Sequence, residues 1–247
     1  MTPPRTPPAP AGGASGTSGP FRRTTTAGTT SSLGPVLLAF DTATPLVSVA
    51  LHDGEDVVVE RSSERPMKHG EQLAPLIEEV LRDTGIVRQD VTAVAVGVGP
   101  GPFTGLRVGL VTARTLAHVL EIPVYGVCSL DVLAVEAVET GAVERDFVVA
   151  TDARRKEVYL AAYDVDGDRL DGPVVLRPAD AATDRPAVGE GAVLYPEAFP
   201  HPVGPTRPSA GWLARTVAEE RAELLDPEPL YLRRPDAVVN AQRKPVS

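Results

Sequence analysis

The stretch "AVAVGVGPGPFTGLRVGLVTARTLA", Ala93 to Ala117, joins an apolar strand-like run to an apolar helix-like run through a cluster of glycine and proline. A glycine-rich turn feeding a helix presents free backbone N–H groups and the positive end of the helix dipole, an arrangement that attracts anions. Gly99, Gly101 and Gly105 supply the backbone freedom and Thr104 a hydroxyl. Yet a Walker loop needs Lys followed by Ser or Thr at the helix start, where this chain has Leu106-Arg107. Dinucleotide spacing, G-x-G-x-x-G, fails as well, because Gly101 is followed by Pro102 and Phe103.

The helix after the loop, expected from Leu106 to Leu120, carries two apolar stripes. Leu106, Leu110, Ala113, Ala117 and Leu120 share one face, and Val108, Val111, Thr115 and Val119 share another. A helix lying on a sheet needs one apolar face, so the second predicts burial by the rest of the chain or by a partner. The preceding helix, His69 to Thr84, has its own stripe at Leu73, Leu76, Ile77, Val80 and Leu81 and stops at Gly85. Pro75 within it predicts that regular helix begins near that residue. The expected partner surface comprises Leu73 and Ile77 from the first helix with Val108, Val111, Thr112, Thr115 and Val119 from the second.

Upstream, "VLLAF", "LVSVALHDG" and "EDVVVERS" read as three antiparallel strands joined by hairpin-length turns, and "VTAVAVGV" and "PVYGV" as two more. The order β-β-β-α-β-α-β places helices against a mixed sheet. Downstream, "SLDVLAVEAVE" reads as a helix with Ser129 as its N-cap. "FVVATDARRKEVYLAAYDVDG" then repeats the plan of "VLLAFDTATPLVSVALHDG": a strand ending on Asp (Asp152, Asp41), a polar turn and a return strand. Such an echo predicts a duplicated, two-lobed α/β fold. A last helix is expected from Ala210 to Leu225. The expected divisions are an extension over 1–34, lobes over 35–128 and 129–234, and a polar tail over 235–247. Met1 to Ser32, rich in Pro, Gly, Ser and Thr, lacks the apolar residues to order itself.

The formal net charge is −9, and no basic cluster is evident along the sequence, which argues against direct tight nucleic-acid binding. Cys128 is the single cysteine, and no apolar run approaches the roughly 20 residues of a membrane span, so a soluble cytoplasmic protein is expected. The histidines His52, His69, His118 and His201 form no i, i+4 ligand pair, and no G-x-S-x-G elbow is present. The Asp41 turn, "DTATP", approximates the Asp-x-Gly-Thr hairpin that wraps terminal phosphates, with Asp41 and Thr42 in place but Ala43 where the glycine would stand. The charged run 152–157 reads as a solvated hairpin tip, and Cys128 as an inert core thiol.

"LLAFDTAT…SVAL", "GVGPGPFTGLRVGL", "IPVYGVCSLDVLA", "DARRKEVYLAAYD" and "PLYLRRPDA", in this order and spacing, resemble the TsaB (YeaZ) family over about Pro35 to Ala237. The resemblance implies the two-lobed fold of the actin, Hsp70 and sugar-kinase superfamily. It also implies a role in forming N6-threonylcarbamoyladenosine next to the tRNA anticodon. In that system the catalytic subunit is the paralogue TsaD, which holds its metal through a paired-histidine helix. Leu73 stands where this chain would need a second histidine. The implied role is a non-catalytic subunit without cofactor or metal, a homodimer when alone, which binds TsaD and helps recruit the ATPase TsaE. It would meet tRNA only through the complex. Asp41, Thr42, Gly99, Gly101, Thr104 and Gly105 would then be a vestigial phosphate loop that sets the helix against the sheet and a partner. The competing reading is an enzyme with its own nucleotide or metal site, glycoprotease-like or kinase-like.

Overall fold

The structure, a computed structural model, describes residues 34–63 and 69–233. The expectations for the N-terminal extension and the polar tail fall outside these residues. The first sheet contains β1 (Leu37–Asp41), β2 (Val47–His52), β3 (Val57–Ser63), β4 (Ala93–Gly99) and β5 (Val124–Cys128), in the order β3-β2-β1-β4-β5. As the hairpin-length links require, β1, β2 and β3 are antiparallel neighbours, whereas β4 lies parallel to β1 and β5 parallel to β4. The second sheet contains β6 (Phe147–Asp152), β7 (Val158–Tyr163), β8 (Arg169–Leu176) and β9 (Ala187–Val188), in the order β8-β7-β6-β9.

The two sheets share a plan. Strand order and direction match for β3-β2-β1-β4 and β8-β7-β6-β9, down to the parallel pairs β1–β4 and β6–β9. Strands β4 and β9 each meet a left-handed glycine, Gly99 (φ 93°) or Gly189 (φ 104°), and then a helix, α2 (Phe103–Leu120) or α4 (Glu190–Leu194). The echo of the two hairpins therefore extends to a repeated unit of three antiparallel strands, a parallel fourth strand, a glycine and a helix, with an α-helix, His69–Thr84, before the fourth strand in the first copy only.

Helices α1 (His69–Thr84) and α2 cover one face of the first sheet, where Phe40, Val49 and Val96 pack with Leu73, Val80, Leu106 and Leu110. Helix α5 (Ala210–Ala218) covers the other face, placing Leu213 and Val217 against Leu37, Ala39 and Ala95. With both faces covered, β1 and β4 are buried along their whole length, which is why they read as continuous apolar runs. Helix α3 (Ser129–Glu139) packs Leu130 and Leu133 into the core of the second sheet with Phe147 and Tyr163. Residues 210–218, from the stretch assigned above to the second lobe, thus return to the first sheet.

Four sequence expectations need correction. Helix α1 is regular from His69, with Pro75 inside it, because Gln72 and Leu73 extend the buried stripe one turn before the proline. Helix α2 starts at Phe103, three residues early. Ser129 is the first helical residue of α3 rather than its cap, and its hydroxyl serves Asp41 instead. Helix α5 ends at Ala218, and the chain beyond it forms an extended strap. Along the strap Leu225 exchanges two backbone hydrogen bonds with Gly126, and the Leu230 N–H donates to the carbonyl of Val98.

Candidate functional site

At the end of β1 the Asp41 carboxylate is buried and fully engaged. Its Oδ1 accepts the Ala43 N–H at 2.7 Å, and its Oδ2 accepts the Ser129 hydroxyl at 2.6 Å. Burial pushes the Asp41 pKa up, against the opposing pull of the Ser129 and Ala43 hydrogen bonds and the nearby His69. A Cβ on Gly97 of β4 would overlap Asp41 Oδ2, so the carboxylate fits only because that strand position is glycine. Thr42 is also fully buried, and its hydroxyl donates to the Gly105 carbonyl at 2.8 Å. The next carbonyl but one in the turn, that of Thr44, accepts His69 Nε2–H at 2.8 Å.

These contacts account for the glycines of the loop. A Cβ on Gly101 would overlap the Ala43 carbonyl, one on Gly105 the Thr42 carbonyl, and one on Gly109 the Thr42 hydroxyl. Gly101, Gly105 and Gly109 recur every four residues, so they form one seam along the start of α2 into which the 42–43 backbone seats. Gly99 turns the chain from β4 into this seam at positive φ. Thr104 is exposed at the start of α2 and takes no part in the seam. The structure therefore brings Asp41, Thr42, Gly101 and Gly105 together as a packing joint. Gly97 and Gly109 belong to it equally, and sequence reading missed them because their partners lie in another segment.

Between the lobes the Asp41 turn and the loop prolines Pro100 and Pro102 face Thr151, Asp152, Arg154, Tyr159 and Glu190. The cavity these residues enclose is about 10 Å³, on the order of one water molecule. A small-molecule site is typically about 300 Å³ or more. Among the described residues, no group of three or more His, Cys, Asp or Glu is placed to hold a metal. Cys128 is buried, and desolvation, assisted by Asp131, raises its thiol pKa to about 12, so it stays protonated.

The other expected surface behaves differently. Leu106, Leu110, Ala113 and Ala117 of α2 are buried against the sheet, whereas Val111 and Val119 stand 62% and 69% exposed. Thr115 is exposed beside them, and Val108 and Thr112 are half-buried. Leu73 and Ile77, expected on the same surface, are instead core residues at 1% and 6% exposure, because α1 turns that stripe onto β2 and β3. The surface contributed by α1 shrinks to its start. There Gly70 joins Phe103, Thr104, Arg107, Val108, Val111 and Thr112 around an open groove of about 510 Å³. Phe103 and Arg107 were not among the expected site residues. Their signal was an aromatic and a cation one turn apart at the start of a helix.

A family model described as "TsaD: tRNA N6-adenosine threonylcarbamoyltransferase" matches residues 62–201, more than half of the chain. An uncharacterized protein of Mycobacterium tuberculosis is 44% identical over 206 residues, spanning 81% of this chain and 93% of that protein. The tRNA threonylcarbamoyladenosine biosynthesis protein TsaB of Escherichia coli is 39% identical over 131 residues, 53% of this chain and 55% of its own length. Among solved structures, YeaZ from Pseudomonas aeruginosa is 32% identical with a TM-score of 0.65, covering 80% of this chain and all of that one. The two mixed sheets with flanking helices form an α/β fold shared with that solved structure. On these likenesses, together with the joint and the two-faced helix, the chain belongs to the TsaB (YeaZ) family.

Proposed function

We propose that the chain is a non-catalytic subunit required for N6-threonylcarbamoyladenosine formation in tRNA next to the anticodon. It binds a TsaD-like catalytic paralogue and helps recruit a TsaE-like ATPase, acting in the cytoplasm. The observation that carries this reading is the outer face of α2, where Val111 and Val119 are exposed on a helix whose opposite face is buried. An exposed apolar stripe bordering a groove is the form of a protein-docking surface. The joint at Asp41 supports the same reading, because its carboxylate oxygens are spent on Ala43 and Ser129 rather than aimed at a ligand. A nucleotide held at the Asp41 turn would need far more room than the 10 Å³ enclosed by the residues around it. Among the described residues no helix is long and apolar enough to cross a membrane. The test is reconstitution with purified paralogue, ATPase, ATP, threonine, bicarbonate and tRNA, with modified nucleoside measured by mass spectrometry. Product should require both this chain and the paralogue. Product from this chain alone, or an undiminished yield without it, would overturn the reading.

A further inference from the structure

Exposed Arg107 of α2, exposed Arg154, Arg155 and Lys156 of the β6–β7 tip, and half-buried Arg233 of the strap are brought by the fold into one strip near the lobe cleft. It begins at the rim of the α2 groove, where the Arg107 guanidinium lies 3.8 Å from the centroid of the Phe103 ring. The other ring in the stack is Tyr231 of the strap, at 5.3 Å and an interplanar angle of 26°. Both aromatics remain about two-fifths exposed, at 41% and 40%. Two residues further on, Arg233 Nη1 donates to the Ala153 carbonyl at 2.9 Å and the guanidinium pairs with Glu157, which fixes the strap to the β6–β7 tip. At that tip Arg154, Arg155 and Lys156 are consecutive left-handed residues, with φ of 60°, 56° and 59°. Residues with a Cβ rarely adopt this conformation once, let alone three times in a row. It is held by the Arg154 N–H to Asp152 Oδ1 and by the backbone bonds between Ala153, Arg154 and Glu157, and all three cationic residues are exposed.

We propose that this strip of Arg107, Phe103, Tyr231, Arg233 and the 154–156 tip is a docking surface for single-stranded RNA. The cations would lie along the sugar-phosphate backbone and the aromatic stack would receive unpaired bases. The inference rests on the proposed role in tRNA modification and adds a direct RNA contact to it. Two cations of the strip are paired with carboxylates, Arg154 with Asp152 and Arg233 with Glu157, in a protein whose net charge is −9. Screening confines charge effects to about 8 Å at physiological salt, so the local excess governs what the strip attracts. Arg107 and Lys156 have no carboxylate partner among the described residues. Arg154, paired with Asp152, still exposes 63% of its side chain, and a solvated pair of this kind exchanges partners at little cost. An acidic protein would answer the cations alone. Cations alternating with exposed, stacked aromatics fit a ligand that carries both phosphate and planar bases.

The full chain is titrated by fluorescence anisotropy with a labelled anticodon stem-loop, without paralogue or ATPase, at several salt concentrations. Binding should weaken with salt in proportion to the phosphates neutralised. The double variant Arg107→Gln/Lys156→Gln should weaken it about tenfold and flatten the log–log salt slope by about 1.4, near 0.7 for each cation. Tyr231→Ala should weaken it by about tenfold with the slope unchanged. Arg88→Gln, near the start of β4 at the far end from the strip, should bind as the parent does, and circular dichroism verifies the fold of each variant. The proposal is overturned if the parent binds no RNA at low salt, or if Arg88→Gln weakens binding as much as the strip variants do. It is also overturned if the strip variants keep RNA but lose the catalytic paralogue, which would make the strip a protein-docking surface. RNA binding through the strip by a chain that proves dispensable for adenosine modification would overturn the proposed function and leave this inference standing.

Discussion

A methyl group at position 97 would overlap Asp41 Oδ2 and lie 2.9 Å from the Ser129 hydroxyl. Neither group can step aside, because the Asp41 oxygens hold the Ala43 N–H and the Ser129 hydroxyl inside a closed core. Gly97→Ala should therefore destabilise the protein by about 3 kcal/mol or more, seen as a lowered thermal midpoint or loss of soluble protein. Unchanged melting would show that the Asp41 turn can be displaced. A second residue-scale effect is set by charge. Glu136 on α3 keeps Oε2 buried without a hydrogen-bond partner, and burial, with Glu60 nearby, raises its pKa from the usual 4.5 to about 7. Glu60 is itself anchored by the Ser48 hydroxyl and the Ala210 N–H at the start of α5. A carboxyl whose folded pKa is raised contributes stability that is fully present below 4.5 and is lost as pH climbs towards and through 7. Glu136→Gln should melt above the parent at pH 8, with the gap narrowing as pH falls towards 5. An equal gap at both pH values would show that ionisation at this position does not govern stability.

At the scale of the element, α2 decides between core and partner within single steps of sequence. Leu110 is buried, and Val111, the next residue, is 62% exposed. A glutamate at Leu110 would place an unpaired charge in the core, a cost of several kcal/mol, and should leave the protein insoluble. Val111→Glu should fold with a parental circular dichroism spectrum and fail to bind the catalytic paralogue, because its charge would be desolvated at the interface. A folded Val111→Glu that binds normally would move the interface to another face. The stripes of α2 were legible because helical spacing fixes which residues share a face. The same spacing could not tell that the Leu73–Ile77 stripe of α1 meets the sheet, since both helices show an apolar face and only the placement of α1 on β2 and β3 decides which way its stripe turns.

For the whole molecule, the unpartnered face of α2 carries a consequence for association. An exposed apolar stripe favours isologous pairing, so the isolated protein should form a homodimer that dissociates on dilution and gives way to the paralogue. Sedimentation velocity across a concentration series checks this, and one-chain mass throughout would refute it. The sequence by itself determined the elements from β1 through β7 and their order, the antiparallel β1–β2–β3 run and the duplicated hairpin, because periodicity, turn residues and strand length are local properties. The stretch 169–194, interrupted by Pro and Gly, does not display them, so β8, β9 and α4 were not legible. The sequence also placed a glycine-rich joint between β4 and α2 without revealing what the joint holds. Only the tertiary structure decided that Asp41 and Thr42 fill that joint, that α5 returns to the first sheet, and that the strap carries Tyr231 to Phe103 and Arg233 to the 152–157 tip. The physical reason is common to all of these. Burial, the acidity of a carboxyl and the company of a cation depend on atoms supplied by distant segments, which come together only when both faces of the first sheet are covered.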